Sequence, residues 1–495
     1  MQGVAFLTAT GLVSQVIAFA YRILLSQMVG AEMMGLYQLI LPVYSVLLSL
    51  TSVGLTTAVS NLSAQYDALG NTKAVAALRD RALRLFFLLA ILPCTVLVLC
   101  SDGASVLLLG DARTRLGLIL LVPCLLLTGI ENLQKYYFYG IGRILPAALT
   151  ELAEQVIRSV AVLGLLFVFL PQTAEKMVGL IVLGMIICEI FSATTQTILF
   201  HRSMRTRCGT APANGVLSRR ILKIAAPIGL TSLLGNIIGS ANAVFIPRLL
   251  VWGGMDVSEA TARFGVLFGM TLPMLFLPTA FLSALALVLT PKLSASLGEM
   301  TEIRRRIRKS VAAGNFILIP ALFFLAVLGP QLGSALYRDP RVGDNMPLLA
   351  LGVLFSCWQT LLSCSLNGLN FQASAAAIAL ISDALQLGIT VATVGNPIFG
   401  LRGFVWGYVI SSAVGAVLCW RKIAKETKLK LPFFEWFAAP LLAATLAAAC
   451  VRLLYLVLLD VGLSVVGSGG VCVLFGSVLY IVTLQAQGIK YIEHV

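Results

Sequence analysis

Long apolar runs recur along the whole chain and limit what it can fold into. A helix needs about 20 consecutive apolar residues to cross the hydrocarbon core of a bilayer, and only helices and closed barrels satisfy every backbone hydrogen bond there. The chain carries fourteen such runs, which begin near residues 3, 35, 83, 116, 146, 177, 222, 264, 310, 346, 373, 403, 437 and 464. The sequence therefore predicts an all-α polytopic membrane protein with fourteen transmembrane helices, called helices 1–14 in chain order.

The composition agrees with this class and excludes several others. Of the 495 residues, 59% are hydrophobic and 11% are charged, whereas soluble domains carry roughly 25% charged residues. The ten cysteines include no Cys-x-x-Cys pair, and neither a phosphate-binding loop nor a His-Glu-x-x-His motif occurs. We therefore expect no metal, no cofactor and no enzymatic activity. Any transport work must draw on an ion gradient, the membrane potential or the substrate's own gradient.

Basic residues are strongly segregated between alternate loops. One set of connections, together with the C-terminus, holds 24 of the 35 Lys and Arg residues, and the other set holds seven. Basic loops stay on the cytoplasmic side during insertion, so the sequence predicts a multi-pass protein of the cytoplasmic membrane with both termini in the cytoplasm. The basic clusters at 202–223 and 304–309 are interpreted as topology signals near anionic lipid, or else as a partner or head-group site, and not as a nucleic-acid surface.

The two halves of the chain repeat each other weakly. A shift of 231 residues places Pro42 on Pro273, and a shift of 226 places Arg22 on Arg248. Six spans separate the copies, an even number, so both copies have one orientation, as in transporters built from parallel repeats. We predict two six-helix lobes followed by an added helix pair, at residues 1–215, 216–425 and 426–495.

Two arginines are predicted to lie within spans at symmetric positions. Arg22 lies in the outer third of helix 1, and Arg248 follows Pro247 near the outer end of helix 7. An arginine near mid-bilayer costs about 2.5–3.5 kcal/mol on insertion scales, so it normally faces protein or water. Either both side chains extend to the outer head groups, or they face a central cleft and bind an anionic, phosphate-bearing substrate.

Helix 5 carries three charged residues on one face. Glu151, Glu154 and Arg158 are spaced by three, four and seven residues, which places them on one side of a helix. They form either a mutually neutralised structural cluster or part of a cavity lining that contacts substrate. In helix 4, Glu131 and Lys135 are four residues apart and are expected to form an interfacial ion pair.

Two further acidic residues have no partner within their own helices. Glu189 lies in helix 6, and Asp383 lies in helix 11 with Gln386 and Thr390 on the same face. A carboxylate within a span must pair with another helix, become protonated or bind a cation. Asp383 is therefore a candidate for ion or proton coupling.

One sequence motif resembles a known transporter branch. Residues 21–32 (YRILLSQMVGAE), 35–38 (GLYQ) and 42–45 (PVYS) in helices 1 and 2, with 246–249 (IPRL) in helix 7, look like the SpoVB (stage V sporulation protein B) branch of the MOP superfamily. That branch is related to the MurJ lipid II flippases and to polysaccharide exporters. The resemblance in span number and order extends over the whole chain.

The resemblance implies a MATE/MurJ-like fold that works by alternating access. The implied function is a flippase that moves an undecaprenyl-diphosphate-linked glycan, a lipid II-type peptidoglycan precursor for spore cortex synthesis. Arg22 would then contact the diphosphate, and Arg248 would follow by position. Relatives place a cation site among helices 7, 11 and 12, to which Asp383 corresponds, but helix 7 here offers Asn236 and Asn242 instead of a carboxylate.

Partners and competing functions follow from the same residues. The expected partners are a lipid-linked oligosaccharide and membrane lipids, and the protein is expected to be a monomer. A MATE-type cation or drug antiporter competes with the flippase, because it needs cavity carboxylates such as Glu151, Glu154 and Asp383. Two more functions stay open at this point, namely an exporter of another lipid-linked polysaccharide unit and a non-transporting scaffold for cell-wall enzymes.

Overall fold

The structure is a computed structural model that describes residues 2–204, 208–210, 212–294, 296, 298–430 and 432–487. Within these ranges the regular structure is helical and contains no strand. The chain is therefore a multi-pass α-helical membrane protein, as the apolar runs predicted.

The first eight spans include several interruptions of the α-helix. Helices 1 and 2 share the run Gln2–Leu48, which continues through a π-helical turn at Ser49–Val53 into Gly54–Ala68. Helix 3 is Thr72–Leu99, continued by Ser101–Gly103 and a π-helical turn at Ala104–Leu109. Helices 4–7 are Arg115–Gly140 (after a 3-10 turn at Ala112–Thr114), Ile144–Phe169, Ala174–Ser203 and Asn214–Trp252. Helix 8 consists of Val257–Gly265, Val266–Thr271 (π-helical), Leu272–Phe276, Leu277–Thr279 (3-10) and Ala280–Ser294.

The last six spans are more regular. Helices 9–12 are Met300–Tyr337, Met346–Gly368 (after a 3-10 turn at Pro340–Gly343), Gln372–Thr393 and Leu401–Thr427. Helix 13 begins with a π-helical turn at Phe434–Ala438 and continues as Ala439–Asp460, and helix 14 is Val465–Ala486.

Gly30 separates helix 1 from helix 2. The apolar stretch Thr10–Ala68 has 59 residues, which at about 1.5 Å per residue is roughly 90 Å, three times the thickness of a hydrocarbon core. Gly30 has φ 78° and ψ 176°, a conformation that is essentially restricted to glycine. Thirteen stretches in the described residues are long and apolar enough to cross a membrane, and the break at Gly30 divides the first of them into two, which gives the fourteen predicted spans.

Three helices begin well before their predicted starts. Helix 3 begins at Thr72, helix 7 at Asn214 and helix 9 at Met300, whereas the apolar runs begin near residues 83, 222 and 310. The additional turns are rich in Lys and Arg. Hydropathy marks only the apolar part of a helix, so these predicted starts were about ten residues too late.

The chain divides into two compact units. Unit 1 consists of Met1–Arg248 and Asp256–Gly265, and unit 2 consists of Leu249–Met255 and Val266–Val495. This division follows spatial contacts and places most of helix 7 in unit 1, so it is not a division by repeat. The predicted repeat boundaries at 215/216 and 425/426 stay a prediction.

Each unit contains the same turn at the start of a helix. In unit 1, Gly110 has a left-handed conformation, and the Asp111 side chain then accepts a hydrogen bond from the Arg113 backbone N–H at 3.0 Å. In unit 2, Arg338 is left-handed and Asp339 accepts from the Arg341 backbone N–H at 2.9 Å. Each arginine side chain also returns to its own aspartate. The shift of 228 residues gives the predicted internal repeat a structural counterpart.

Candidate functional site

Helices 4, 5 and 6 form two successive antiparallel hairpins in unit 1 and pack along one another. The first turn lies at Ile141–Arg143, and Gly142 there adopts a positive φ of 73°. In an antiparallel hairpin, residues equally distant from the turn lie side by side. Lys135 lies six residues before this turn and Glu151 eight residues after it, and their side chains meet across the hairpin.

Arg158 is the centre of a buried polar cluster. Its Nη2 donates to Glu154 in the preceding turn of helix 5 and lies 3.3 Å from Glu189 Oε1 on helix 6. Its Nε donates to Cys188 Sγ at 3.4 Å. The hydroxyl of Ser192 donates to the other oxygen of Glu154 at 3.4 Å. Glu154 is 6% exposed and Glu189 is 2% exposed, so these ion pairs are removed from solvent.

Lys135 extends the cluster toward the surface. Its Nζ lies 3.6 Å from Glu131 and 3.3 Å from Glu151, and Tyr139 donates to Glu151 at 3.2 Å. Glu131 is 2% exposed, whereas the side chain of Glu151 is 44% exposed. The expected pairing of Glu131 with Lys135 is present, but Glu131 is buried within unit 1, because helix 6 covers this end of helix 4.

Carboxylates outnumber cations in this cluster. The negative groups are Glu131, Glu151, Glu154 and Glu189, and the positive groups are Lys135 and Arg158. Among the described residues, Glu131 Oε1 and Glu189 Oε2 are buried without a hydrogen-bond partner. The same is true of both amide atoms of Gln196, which lies two turns after Glu189 on the same face of helix 6. We call the six charged residues Glu131, Lys135, Glu151, Glu154, Arg158 and Glu189 the helix 4–6 cluster.

Arg22 has a different environment from Arg158. It is half-buried on helix 1 and, within the described residues, has neither a hydrogen bond nor an ion pair. It lies eight residues before Gly30, which is about 12 Å along the helix axis. The run Gln2–Leu48, which carries Arg22, packs against helix 5, which carries Arg158.

The guanidinium of Arg248 is hydrogen-bonded to backbone carbonyls. Its Nη2 donates to the carbonyls of Val106 and Leu107 in the last turn of helix 3, and its side chain packs against Gly110. The final carbonyls of a helix have no intrahelical partner and carry partial negative charge, which a cation stabilises. Arg248 therefore links helix 7 to helix 3 within unit 1.

The predicted ion-coupling residues fall in different units. In unit 1, Asn236 donates to Ser49 Oγ at 2.6 Å and to the Ser232 carbonyl at 3.0 Å. Asn242, also in unit 1, is 6% exposed, and its Oδ1 has no partner in the described part of the chain. In unit 2, Asp383 is half-buried and forms no ion pair with a described residue. The role of these residues in coupling stays a prediction.

Unit 2 contains an aromatic cavity. Helices 9, 10, 12 and 13 enclose a cavity of about 160 Å³ lined only by apolar side chains, including Trp358, Trp420 and Trp436. Asn315 is fully buried beneath it, donating to the Trp436 carbonyl and accepting from Trp358 Nε1, both at 2.6 Å. Asn315 therefore fixes two of the walls.

The sequence identified some of these groupings and missed others. The Glu154–Arg158 pair was predicted from helical spacing, and Glu189 pairs with another helix, which is one of the three outcomes that the sequence left open. The link between Glu151 and Lys135 was missed, because spacing within one helix does not give the register between two helices. The carbonyl partners of Arg248 were also missed, because backbone groups at a helix end leave no trace in residue type.

The fold defines a class of protein, namely polytopic α-helical membrane proteins. Stage V sporulation protein B of Bacillus subtilis (strain 168) is 21% identical over 447 residues, which cover 88% of this chain and 86% of that protein. Residues 1–278 match the family described as polysaccharide biosynthesis protein. The chain therefore belongs to the polysaccharide biosynthesis protein family and is a SpoVB-like member of the MOP superfamily, as the motifs in helices 1, 2 and 7 predicted.

Two further comparisons both match lipid II flippase MurJ. Lipid II flippase MurJ of Bacillus subtilis (strain 168) is 22% identical over 421 residues, which cover 79% of this chain and 76% of that protein. A solved structure of lipid II flippase MurJ in an inward closed conformation aligns with a TM-score of 0.72 at 12% identity, covering 96% of this chain and 97% of that one. The structural match establishes the MATE/MurJ-like fold.

Proposed function

We propose that the protein is a flippase for an undecaprenyl-diphosphate-linked glycan, a lipid II-type peptidoglycan precursor for spore cortex synthesis. It would move this lipid across the cytoplasmic membrane by alternating access, as a monomer with both termini in the cytoplasm. Membership of the polysaccharide biosynthesis family and similarity to stage V sporulation protein B and MurJ support this substrate class.

One observation carries the proposal: Arg22 is a half-buried guanidinium at membrane depth with no partner among the described residues. An unpaired charge in a span is costly unless it serves a ligand, and a guanidinium binds phosphate oxygens in a bidentate manner. We assign Arg22 as the main diphosphate ligand. Arg158, Glu151 and Glu154 would contact the head group from the helix 4–6 cluster.

Arg248 takes a second place in this proposal. Its guanidinium already bonds two carbonyls of helix 3, so it would have to exchange these partners to reach a diphosphate. Asp383, with Asn236 and Asn242, remains the proposed ion-coupling set. Helices 13 and 14 present exposed apolar side chains such as Leu453 and Leu474, and we assign this surface to contact with the lipid tail of the substrate.

The test is complementation of a flippase-depleted strain, with outer-leaflet precursor exposure as the readout. We expect Arg22→Ala to reduce exposure at least tenfold, because a charge-assisted hydrogen bond contributes about 1.5–3 kcal/mol, and Arg22→Lys to recover only part. Arg263→Ala is the matched control, since Arg263 is an exposed arginine paired with Glu259. Full activity of Arg22→Ala at normal membrane levels would refute the diphosphate assignment.

A MATE-type antiporter is the second candidate, and the buried carboxylates of helices 4–6 favour it. That function requires the carboxylates but not Arg22. Efflux of a cationic dye that survives Arg22→Ala and fails in Glu154→Gln would support the antiporter over the flippase. A protein that only scaffolds cell-wall enzymes would tolerate both substitutions.

A further inference from the structure

The aromatic cavity of unit 2 opens between helices 12 and 13. Helix 10 packs against helices 9 and 12, and helix 13 packs against helix 9. Helices 12 and 13 are therefore the two ends of this group, and they meet through the rings of Trp420 and Trp436, whose centroids are 5.5 Å apart. The cavity-lining side chain Val417 of helix 12 is 48% exposed. The cavity is therefore accessible from the surface of unit 2.

The cavity suits a hydrocarbon chain and not water. It exposes only apolar surface, whereas a bound water needs two to four polar partners. Its volume is about 160 Å³, and an apolar cavity of about 150 Å³ accommodates a benzene-sized group. The lining residues of helix 12 extend from Ala413 to Trp420, which is about 10 Å along the helix axis. A chain segment of about this length fits the cavity.

Positive charge is concentrated at one end of the cavity. Residues 301–310 and 421–437 carry ten Lys and Arg against three Glu. These segments include the start of helix 9 and the end of helix 12, which are joined by a hydrogen bond from Arg304 Nε to the Thr427 carbonyl at 2.6 Å. The cavity-lining residue Trp420 comes directly before the second segment. The excess of cations therefore adjoins the cavity.

Two cations of helix 12 lie on the face that carries the opening. Arg421 and Lys425 follow Val417 at intervals of four residues, so the three share one side of the helix and are spaced by about 6 Å along its axis. Both cations are exposed, and neither forms a hydrogen bond or an ion pair with a described residue. Lys and Arg both bind phosphate groups. A chain that enters beside Val417 would have its phosphate near these two side chains.

We infer that the opening between helices 12 and 13 binds an anionic phospholipid of the membrane. One acyl chain occupies the aromatic cavity, and Arg421 and Lys425 bind the phosphate. Anionic lipids attract clustered Lys and Arg at a membrane surface, and basic pockets between transmembrane helices bind their head groups.

An unbranched acyl chain suits a cavity of this volume better than a polyprenyl chain, which has a methyl branch on every isoprene unit. The proposed function assigns the substrate tail to the exposed surface of helices 13 and 14. The phospholipid would therefore bind whether or not the protein is a flippase.

The experiment is quenching of tryptophan fluorescence by lipids with brominated acyl chains. The full-length protein carries Trp252→Phe and Trp406→Phe and is placed in phosphatidylcholine vesicles, so that only the three cavity tryptophans remain of the five in the chain. We expect brominated phosphatidylglycerol to quench more strongly than brominated phosphatidylcholine at equal mole fraction. The ratio of association constants should be about fivefold or more, the effect of one Lys or Arg near an anionic lipid.

Two double variants separate the site from general surface charge. Arg421→Gln with Lys425→Gln should abolish the preference for phosphatidylglycerol. Arg305→Gln with Lys309→Gln is the matched control, because it removes two cations at the same spacing from helix 9, and it should keep the preference. Ala416→Leu places a larger side chain in the cavity wall and should reduce quenching by both lipids.

Several outcomes would overturn the site. These are equal quenching by the two lipids, no quenching by either, unchanged quenching in Ala416→Leu, or a preference that falls equally in both double variants. Displacement of brominated phosphatidylglycerol by added undecaprenyl diphosphate would assign the cavity to the substrate tail instead. The comparison of the two lipids without the charge variants decides the matter even if a variant does not fold. Loss of precursor flipping with the preference intact would refute the proposed function and leave the phospholipid site in place.

Discussion

The two compact units stabilise their interiors in opposite ways. Among the described residues, every charged side chain that is fully buried lies in unit 1, namely Asp111, Glu131, Glu154 and Glu189. The described buried polar side chains of unit 2 are all neutral, and the walls of its aromatic cavity include three indole rings, one of which donates a hydrogen bond to Asn315. Apolar packing is sufficient to hold membrane helices together, so the charges of unit 1 are retained for another reason. The described buried charges therefore lie in unit 1, whereas the acidic residue proposed for ion coupling in unit 2, Asp383, is half-buried.

The largest effect should come from removing the central cation of unit 1. Arg158→Met keeps a long side chain but leaves three buried carboxylates facing Lys135 alone. We expect the free energy of unfolding to fall by about 3–5 kcal/mol, the usual cost of breaking a buried pair on one side. Thermal melting in detergent measures the effect, and adding Glu154→Gln should restore part of it. An unchanged melting temperature would mean that the cluster is hydrated and that the contrast between the units is false.

A smaller effect is expected from Asn315, the fully buried polar residue beside the aromatic cavity of unit 2. Asn315→Leu leaves the indole N–H of Trp358 and the carbonyl of Trp436 without their partners. An unsatisfied buried group costs about 1–3 kcal/mol. Thermal melting and a red shift of tryptophan fluorescence would report the loss, with Thr360→Val on the exposed face of helix 10 as the control. A fall in the free energy of unfolding as large as that of Arg158→Met would show that the two units do not differ in how much their buried polar groups contribute.

The repeated turn allows a comparison at matched positions. Asp111→Ala and Asp339→Ala each remove a capping acceptor, which costs about 0.5–2 kcal/mol. We expect similar losses at the two positions, because each aspartate accepts hydrogen bonds from the backbone N–H and the side chain of its own arginine in the same way. Melting temperatures of the two variants measure the losses. Clearly unequal losses would contradict the equivalence of the two turns.

The turn in unit 2 should also respond to acid. Partial burial raises the pKa of Asp339, but hydrogen bonds from the side chain and backbone of Arg341 outweigh it and leave the pKa below the usual aspartate range. A folded-state pKa below the unfolded value adds stability above the unfolded pKa, and this stability is lost as the pH falls through the folded pKa. Wild type should therefore lose its advantage over Asp339→Ala in that acidic range. A constant difference in melting temperature across it would contradict the assignment.

The smallest effect is expected where a charge is in excess. Glu131→Gln and Glu189→Gln each remove one carboxylate from a cluster in which carboxylates outnumber cations, so the free energy of unfolding should stay within about 0.5 kcal/mol of wild type. Glu175→Gln sets the baseline for an exposed site. A loss above about 2 kcal/mol in both variants would show that both carboxylates are ionised and individually paired.

Hydropathy predicted the number and order of the spans because each span must be apolar regardless of its neighbours. It placed the starts of helices 3, 7 and 9 too late, since their first turns are helical but basic. Helical spacing found the pair Glu154–Arg158. Contacts that join three helices, such as Asn315 with Trp358 and Trp436, have no periodic signal in the sequence. They depend on how the helices rotate against one another, which packing alone determines.

Gly30 has a mechanical consequence for Arg22. Helices 1 and 2 are joined at the single residue Gly30. A change in the direction of either helix must therefore come from the backbone torsions of this residue. Glycine tolerates a broad range of φ and ψ, so this corner can act as an elbow while the hydrogen-bond ladders on both sides stay closed. Arg22 lies two turns before Gly30 on helix 1, so it would move together with that helix. Gly30→Ala would restrict this rotation, since a side chain is strained at φ 78°.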